Sequence, residues 1–119
     1  MTIHVHAITL DATDAAALAG FWSTALGQPV DPDASPFFAS INLTDESPGA
    51  RRWMFIQVPE GKRAKSRMHV DFTADDREAE VERLVGLGAT RVADFDEHGI
   101  RWTTLTDPEG NEFDIAAES

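Results

Sequence analysis

The residues best suited to chemistry lie in one short segment, residues 67–73, with the sequence RMHVDFT. Apolar and polar side chains alternate there, which predicts a β-strand with one apolar and one polar face. His69 and Asp71 are two residues apart, so they share the polar face. An imidazole beside a carboxylate can bind a ligand or transfer a proton. His69 and Asp71 are therefore candidate catalytic residues. The alternative is a solvated surface pair or a polar patch between subunits.

The composition narrows the function classes. The chain has 119 residues, enough for one domain with a hydrophobic core. Cysteine is absent, which excludes disulfides and thiolate chemistry. Acidic residues number 21 against 10 basic ones, and a formal charge of -11 argues against nucleic acid or an anionic membrane as a partner. No signal peptide or membrane-spanning apolar run is visible, so we expect a cytoplasmic protein.

The hydrophobic pattern divides the chain into two similar halves. Each half has a strand, a helix and then further strands. Thr13 or Asp14 caps the first helix and Asp75 or Asp76 caps the second. Val81, Leu84, Val85 and Leu87 are predicted to be the inward residues of the second helix. The predicted strands are residues 3–10, 37–43, 52–58, 67–73, 89–95, 100–106 and 112–116.

The two halves indicate an internal duplication. Gly27 and Gly88 end the two helices 61 residues apart, and Asp14 and Asp75 are separated by the same interval. We therefore predict an α+β fold of two modules. With a helix on the outer face of each sheet, the other faces are free to curve around a shared cavity.

Several residues are candidates for that cavity. Asp114 lies between apolar Phe113 and Ile115, which suits a strand with a polar inner face. Asp11 and Glu112 could add further carboxylates. Several carboxylates near one imidazole cannot all stay charged unless His69 is protonated or a cation enters, so the cavity would suit a cationic or hydrogen-bond-donating compound.

Other residues have more than one interpretation. The aromatic side chains of Trp53, Phe55 and Trp102 could form cavity walls, or they could belong to the core. His4 and His6 share parity with Ile8 and Leu10, which predicts that they face a helix rather than the cavity. His98 falls in a predicted turn. The basic connector, residues 62–67, could gate anionic ligands or simply be solvated.

Four motifs occur in a fixed order along the chain: the capped helix of residues 14–27, the HVD of residues 69–71, the LGA of residues 87–89 and the DPEGNEF of residues 107–113. In these motifs the chain resembles the vicinal oxygen chelate superfamily, which includes glyoxalase I, extradiol dioxygenases, fosfomycin-resistance enzymes and bleomycin-resistance proteins. The resemblance implies one glyoxalase-like domain, 1–119, with βαβββ modules at about 1–60 and 67–119. Residues 55–71 are most similar to the metal-poor glyoxalase-like branch.

The resemblance also implies a set of metal-ligand positions. These fall on Ala7, His69, Gln57 and Asp114. Alanine has no donor atom and glutamine is a neutral ligand, so only two good ligand types remain, fewer than a zinc or iron site requires. We therefore expect no cofactor. A divalent metal held by His69, Asp114 and Gln57 is the alternative.

Together these observations predict a glyoxalase/bleomycin-resistance-like protein that binds a small organic molecule in an acidic cavity without metal. The expected ligand contacts are Gln57, Trp53, Phe55, Asp114 and Trp102. The alternative is a lyase, isomerase or dioxygenase-type enzyme that uses His69 and Asp71 or a divalent metal. No glycine-rich phosphate loop is present, which argues against a nucleotide cofactor. The resemblance implies a homodimer.

Overall fold

A computed structural model describes residues 2–117 of the chain. These form two compact units, the first ending at Gly61 and the second beginning at Lys62. The outer ends of the two predicted modules, residue 1 and residues 118–119, lie outside the described residues. Within residues 2–117, no helix has the length and apolar character needed to cross a membrane.

The first unit is a helix packed on a three-stranded sheet. Its elements are β1 (Ile8–Ala12), α1 (Ala15–Leu26), β2 (Phe38–Ile41) and β3 (Trp53–Gln57). The strand order is β1-β3-β2, with β1 parallel and β2 antiparallel to β3. The sheet is therefore mixed, with one parallel and one antiparallel pair.

Helix α1 begins and ends where the sequence indicates. The Asp14 carboxylate accepts a hydrogen bond from the Ala17 backbone N–H at 3.1 Å, and Gly27 ends the helix in the left-handed region at φ 69°. The apolar face of the helix is buried. Trp22 on this face stacks on Trp53 of β3 with ring centroids 5.2 Å apart. This contact places one face of β3 in the core of the unit.

The second unit contains the full βαβββ order. Its elements are β4 (Val70–Ala74), α2 (Arg77–Leu87), β5 (Thr90–Glu97), β6 (Ile100–Thr106) and β7 (Glu112–Ala117). The strand order is β4-β7-β6-β5, with β4 parallel to β7 and the other pairs antiparallel. The predicted α+β class, with two sheets and two helices, is confirmed.

Apolar contacts hold α2 on the second sheet. Val81 and Leu84 are buried on the helix, and Leu105, Phe113 and Ile115 are buried on the strands. Because side chains alternate along a strand, these three strand residues define the face that α2 covers.

Polar contacts fix the start of α2 on the same face. The buried Thr103 hydroxyl accepts from Arg77 at 2.6 Å and donates to Asp94 at 2.8 Å. Arg91 pairs with both Glu78 and Asp94. This network lowers the pKa of the Asp94 carboxyl, chiefly through the Arg91 hydrogen bonds.

Two predicted strands begin several residues before the observed ones. The first predicted strand, residues 3–10, begins only at Ile8, because the parallel partner β3 does not begin until Trp53. Ile3 and Val5 are 98% and 84% exposed. The segment of residues 67–73 likewise becomes a strand only at Val70. Met68, which the alternation assigns to the apolar face of the strand, is 89% exposed.

The hairpin between β5 and β6 is tighter than predicted. His98 and Gly99 alone form its turn, with φ of 55° and 76°, as a two-residue type I′ hairpin requires. The predicted turn residues Asp96 and Glu97 belong to β5 instead.

The second helix also differs from prediction in detail. Val85 and Leu87 are 43% and 37% exposed, so only two of its four predicted inward residues are buried. Of the two predicted caps, Asp75 and Asp76, the structure has Asp76, whose carboxylate accepts the Ala79 N–H at 3.1 Å. Because α2 has 11 residues and α1 has 12, the caps are 62 residues apart and the terminal glycines 61.

Candidate functional site

The candidate site lies on the face of the second sheet opposite α2. Alternation along the strands turns Asp71, Asp114 and Thr104 away from the buried Phe113, Ile115 and Leu105. The sequence prediction that His69 and Asp71 share a polar face with Asp114 therefore agrees with the geometry of the second unit.

A short hydrogen-bond chain joins these groups. His69 Nδ1 lies 2.6 Å from Asp71 Oδ1 and 3.6 Å from Asp114 Oδ2. Thr104 Oγ1 donates to the other oxygen, Asp114 Oδ1, at 2.6 Å. Thr104 therefore holds the Asp114 carboxylate in place with its second oxygen directed toward the imidazole.

The exposure of these groups decreases toward the sheet centre. The Asp71 side chain is 62% exposed on the edge strand, His69 is 37% exposed, and Asp114 on the inner strand β7 is 15% exposed. Asp114 is thus the member of the cluster whose charge water stabilises least.

Two neighbouring rows of side chains cross this face. The polar row is Asp71, Asp114 and Thr104, which are successive register partners on β4, β7 and β6. The apolar row is Ala116, Trp102 and Phe95, on β7, β6 and β5. Two residues along a strand separate the rows, which corresponds to about 7 Å.

The aromatic members of the apolar row form one surface. The Phe95 and Trp102 rings stack with centroids 5.0 Å apart and an interplanar angle of 16°. Phe95 remains 38% exposed, so the pair offers an accessible ring face beside the carboxylates. A flat group could stack there while a polar group reaches the polar row.

Both rows line a pocket of about 460 Å³, a size suited to a small organic molecule. The other residues around it come from the connector, the hairpin and the ends of the strands. The full lining is Lys65, His69, Asp71, Phe95, Ile100, Trp102, Thr104, Glu112, Asp114 and Ala116.

Glu112 lies in this pocket but its carboxylate has internal partners. It accepts the Ser66 N–H at 2.9 Å and the Lys62 ammonium at 3.1 Å. Burial raises the pKa of Glu112, but these donors outweigh it and hold the pKa at about 2. Glu112 of β7 thus holds the connector at Ser66, which is three residues before His69.

The predicted site residues of the first unit lie elsewhere in that unit. Trp53 and Phe55 are 4% and 0% exposed in the core between the sheet and α1, which favours the core interpretation for both. Gln57, at the exposed end of β3, donates to the Thr13 carbonyl oxygen at 3.0 Å.

The strand register also corrects the counterpart of Asp114 in the first half of the chain, for which the resemblance implied Gln57. In the second sheet, Asp71 of β4 is the register partner of Asp114. In the first sheet, Thr9 of β1 occupies the position that corresponds to Asp71, and its register partner is Met54. Gln57 pairs with Ala12 at the end of the sheet. The internal equivalent of Asp114 is therefore Met54, an error of three residues that arose because strand parity was assigned without the register.

The three other histidines do not join the cluster. His4 and His6 are exposed before β1 begins, rather than facing a helix as predicted. His98 lies in the exposed hairpin turn, as predicted.

Sequence reasoning missed four pocket residues. Thr104, Phe95, Ile100 and Ala116 became candidates only through the register of β5 to β7, and Lys65 was considered only as part of the basic connector. Thr104 and Trp102 do share parity along β6, which was the one available sequence signal.

The comparison with known families agrees with this architecture. A family model described as a glyoxalase-like domain matches residues 7–116. The chain belongs to the glyoxalase-like domain family. A search of curated protein sequences gives no match.

Solved structures show the same fold as this glyoxalase-like domain at low identity. A glyoxalase/bleomycin resistance protein/dioxygenase family enzyme from Burkholderia phytofirmans has a TM-score of 0.72 and 20% identity, covering 94% of this chain and 96% of its own. The fosfomycin resistance protein FosX from Listeria monocytogenes has a TM-score of 0.75 and 14% identity, covering 100% and 96%.

A third similar structure is the bleomycin-binding protein of Streptomyces verticillus, complexed with copper(II)-bleomycin. It has a TM-score of 0.64 and 20% identity, and the coverage is 100% of both chains. At these identities the similarity establishes the fold alone.

The polar cluster of the glyoxalase-like domain also has donors suited to a metal ion. One ligand atom each from His69, Asp71 and Asp114 lie within 4.8 Å of one another. One imidazole nitrogen and two carboxylate oxygens are acceptable ligands for a divalent ion. The 2.6 Å separation of His69 and Asp71 is, however, that of a hydrogen bond between the two side chains.

Proposed function

We propose that this glyoxalase-like domain binds a small organic molecule that carries a cationic or hydrogen-bond-donating group beside a flat apolar group. The observation that carries the proposal is the adjacency of the polar and apolar rows on one pocket face. A precedent for small-molecule binding by this fold is the similar structure from Streptomyces verticillus, which is a bleomycin-binding protein.

The charge of the polar row sets the preference for a cation. Within residues 2–117, no lysine or arginine forms an ion pair with Asp71 or Asp114, and the basic group that contacts both carboxylates is His69. Two carboxylates that share one imidazole leave excess negative charge on a partly dry surface. A ligand ammonium or N–H group would neutralise part of it.

The apolar row selects the rest of the ligand. An aromatic ring laid on Trp102 and Phe95 gains stacking and removes apolar surface from water. Because this row is about 7 Å from the polar row, the ring and the polar group must be joined by a short linker.

A binding titration with matched compounds tests the proposal. 2-Phenylethylamine has the ring and the cation, and 2-phenylethanol replaces the ammonium with a neutral hydroxyl. We expect the amine to bind more tightly, and Asp114→Asn to weaken the amine by about tenfold, the value of one charge-assisted hydrogen bond. Asparagine can still accept the Thr104 hydrogen bond, so the fold is retained.

The control variant is Glu82→Gln, which removes one negative charge from an exposed position on α2. It should leave the affinity for the amine unchanged. Equal binding of amine and alcohol, or equal weakening by Asp114→Asn and Glu82→Gln, would contradict a specific cation site.

The second candidate function is a divalent-metal-dependent lyase, isomerase or dioxygenase-type enzyme. The convergence of His69, Asp71 and Asp114 favours it, and the fold is shared with a FosX variant complexed with manganese(II). A bound ion would supply Lewis-acid polarisation of a substrate oxygen. Without metal, His69 and Asp71 could still exchange a proton with a substrate.

Elemental analysis separates the two candidates. One equivalent of metal in the purified protein, lost in His69→Ala but kept in His4→Ala, would favour the enzyme. His4 is an exposed histidine outside the cluster and is therefore the matched control. We expect amine binding to persist after treatment with a chelator. Its loss would contradict the metal-free proposal.

Two further expectations belong to the proposal. The family resemblance supports a homodimer, which light scattering of the purified protein would test. A cytoplasmic location also stays a prediction from the sequence pattern, testable by cell fractionation.

A further inference from the structure

One cation of the pocket has no internal partner among residues 2–117. Lys65 lines the pocket, yet it makes no hydrogen bond or ion pair with any residue among those the structure describes. Its neighbours differ, since Lys62 is held by the Glu112 carboxylate and the Ser66 N–H donates to the same group. The connector is therefore fastened on both sides of Lys65, which leaves the Lys65 ammonium available to a ligand.

Lys65 lies at a definite end of the pocket. Glu112, Asp114 and Ala116 follow one another on the same face of β7, and Glu112 anchors the connector. The pocket thus presents, in order along β7, a cation from Lys65, the carboxylates of the polar row and the rings of the apolar row.

We propose that the ligand is an aryl-bearing α-amino acid or a compound of the same charge pattern. This inference rests on the proposed function. The aromatic ring would lie on Trp102, the ammonium would face Asp71 and Asp114, and the carboxylate would pair with Lys65. An α-amino acid places its ammonium and carboxylate on one carbon, with the ring a short linker away, which matches the order of the three groups.

The net charge of the chain makes the position of Lys65 informative. With a formal charge of -11, most of this surface repels an anion. A carboxylate-bearing ligand therefore needs a local cation, and the pocket supplies Lys65, which has no partner in the part of the chain that the structure describes. A pure amine would gain nothing from Lys65 and would be repelled by it.

The test compares three probes in three proteins. The probes are L-phenylalanine, 2-phenylethylamine, which lacks the carboxylate, and 3-phenylpropionate, which lacks the amine. The proteins are the wild type, Lys65→Met and Arg63→Met. Arg63 belongs to the same exposed connector but does not line the pocket, so its substitution controls for the general loss of one positive charge.

We expect the wild type to bind L-phenylalanine at least about fivefold more tightly than 2-phenylethylamine, the contribution of a partly screened ion pair. Lys65→Met should abolish that advantage and weaken 3-phenylpropionate, with no loss of affinity for 2-phenylethylamine. Arg63→Met should behave as the wild type.

Two outcomes would overturn the inference while sparing the proposed function. In one, 2-phenylethylamine binds at least as tightly as L-phenylalanine to the wild type. In the other, Lys65→Met and Arg63→Met have equal effects, so Lys65 is only a solvated surface cation. If 2-phenylethylamine and L-phenylalanine both fail to bind the wild type, the proposed function and this inference are both wrong.

Discussion

The clamp formed by Glu112 should make a measurable, pH-dependent contribution to stability. The proposed perturbation is Glu112→Gln, which keeps an oxygen that can accept the Ser66 N–H but removes the charge that pairs with Lys62. We expect the variant to unfold more easily at neutral pH, because the Ser66 N–H then donates to a neutral acceptor and the ion pair with Lys62 is lost.

The size of the stabilisation by Glu112 follows from its pKa. Glu112 has a pKa of about 2 in the folded chain against an ordinary value of 4.5, which at full weight corresponds to about 3 kcal/mol of stability at neutral pH. The Lys62 side chain is 26% exposed, so water screens the pair. We therefore expect Glu112→Gln to lower the free energy of unfolding by about 1–2 kcal/mol.

The sign of the pH dependence is fixed by the direction of the shift. A carboxyl whose pKa is lowered by folding stabilises the protein above its unfolded pKa, and this contribution is lost as the pH falls through the folded pKa. For Glu112 the window runs from about 4.5 down to about 2. The difference between wild type and variant should therefore shrink by about 1 kcal/mol between pH 7 and pH 3.5.

Urea denaturation followed by tryptophan fluorescence and circular dichroism measures both quantities. The control is Glu82→Gln, an exposed residue of α2 that makes no hydrogen bond or ion pair with the residues described here. The reasoning is refuted if Glu112→Gln and Glu82→Gln have the same midpoint at pH 7. It is also refuted if the difference between Glu112→Gln and wild type does not decrease at pH 3.5.

The remaining predictions concern the pocket wall and the anchoring of α2. Trp102→Leu should weaken the binding of 2-phenylethylamine by about tenfold, because the stacking surface is lost. Its melting temperature, measured by calorimetry, should change by no more than a few degrees. Thr103→Val should lower the free energy of unfolding by about 1–3 kcal/mol, because Arg77 and its partners lose a buried hydroxyl, and an unchanged denaturation midpoint would contradict this role. Asp76→Ala should cost about 1 kcal/mol and Asp75→Ala much less, and equal costs would show that the cap assignment is wrong.

Much of the fold was accessible from local signals. The caps and terminal glycines bound both helices to within a residue or two, because capping depends on short-range hydrogen bonds and on backbone freedom at Gly27 and Gly88. Strand ends were less accessible. The alternation of Ile3 and Val5 continues the pattern of β1, yet a strand needs a partner, and the described chain offers none before Ile8.

The candidate site was predictable only in part. The shared face of His69 and Asp71 follows from alternation alone, and Asp114 joined them because its apolar neighbours fixed its parity. Trp53 and Gln57 could not be placed by the same reasoning, since parity leaves open which face of a sheet is covered by its helix and which residues are register partners.

The sequence by itself determined the two-fold repetition of the chain, the class of its elements and the imidazole–carboxylate pair. These depend on interactions between residues that are close along the chain. Only the tertiary structure decided that Thr104 orients Asp114, that Phe95 and Trp102 stack beside them, and that Glu112 fastens the connector next to Lys65. Each of these contacts joins separate segments, so it exists only once strand register and the path of the connector are fixed.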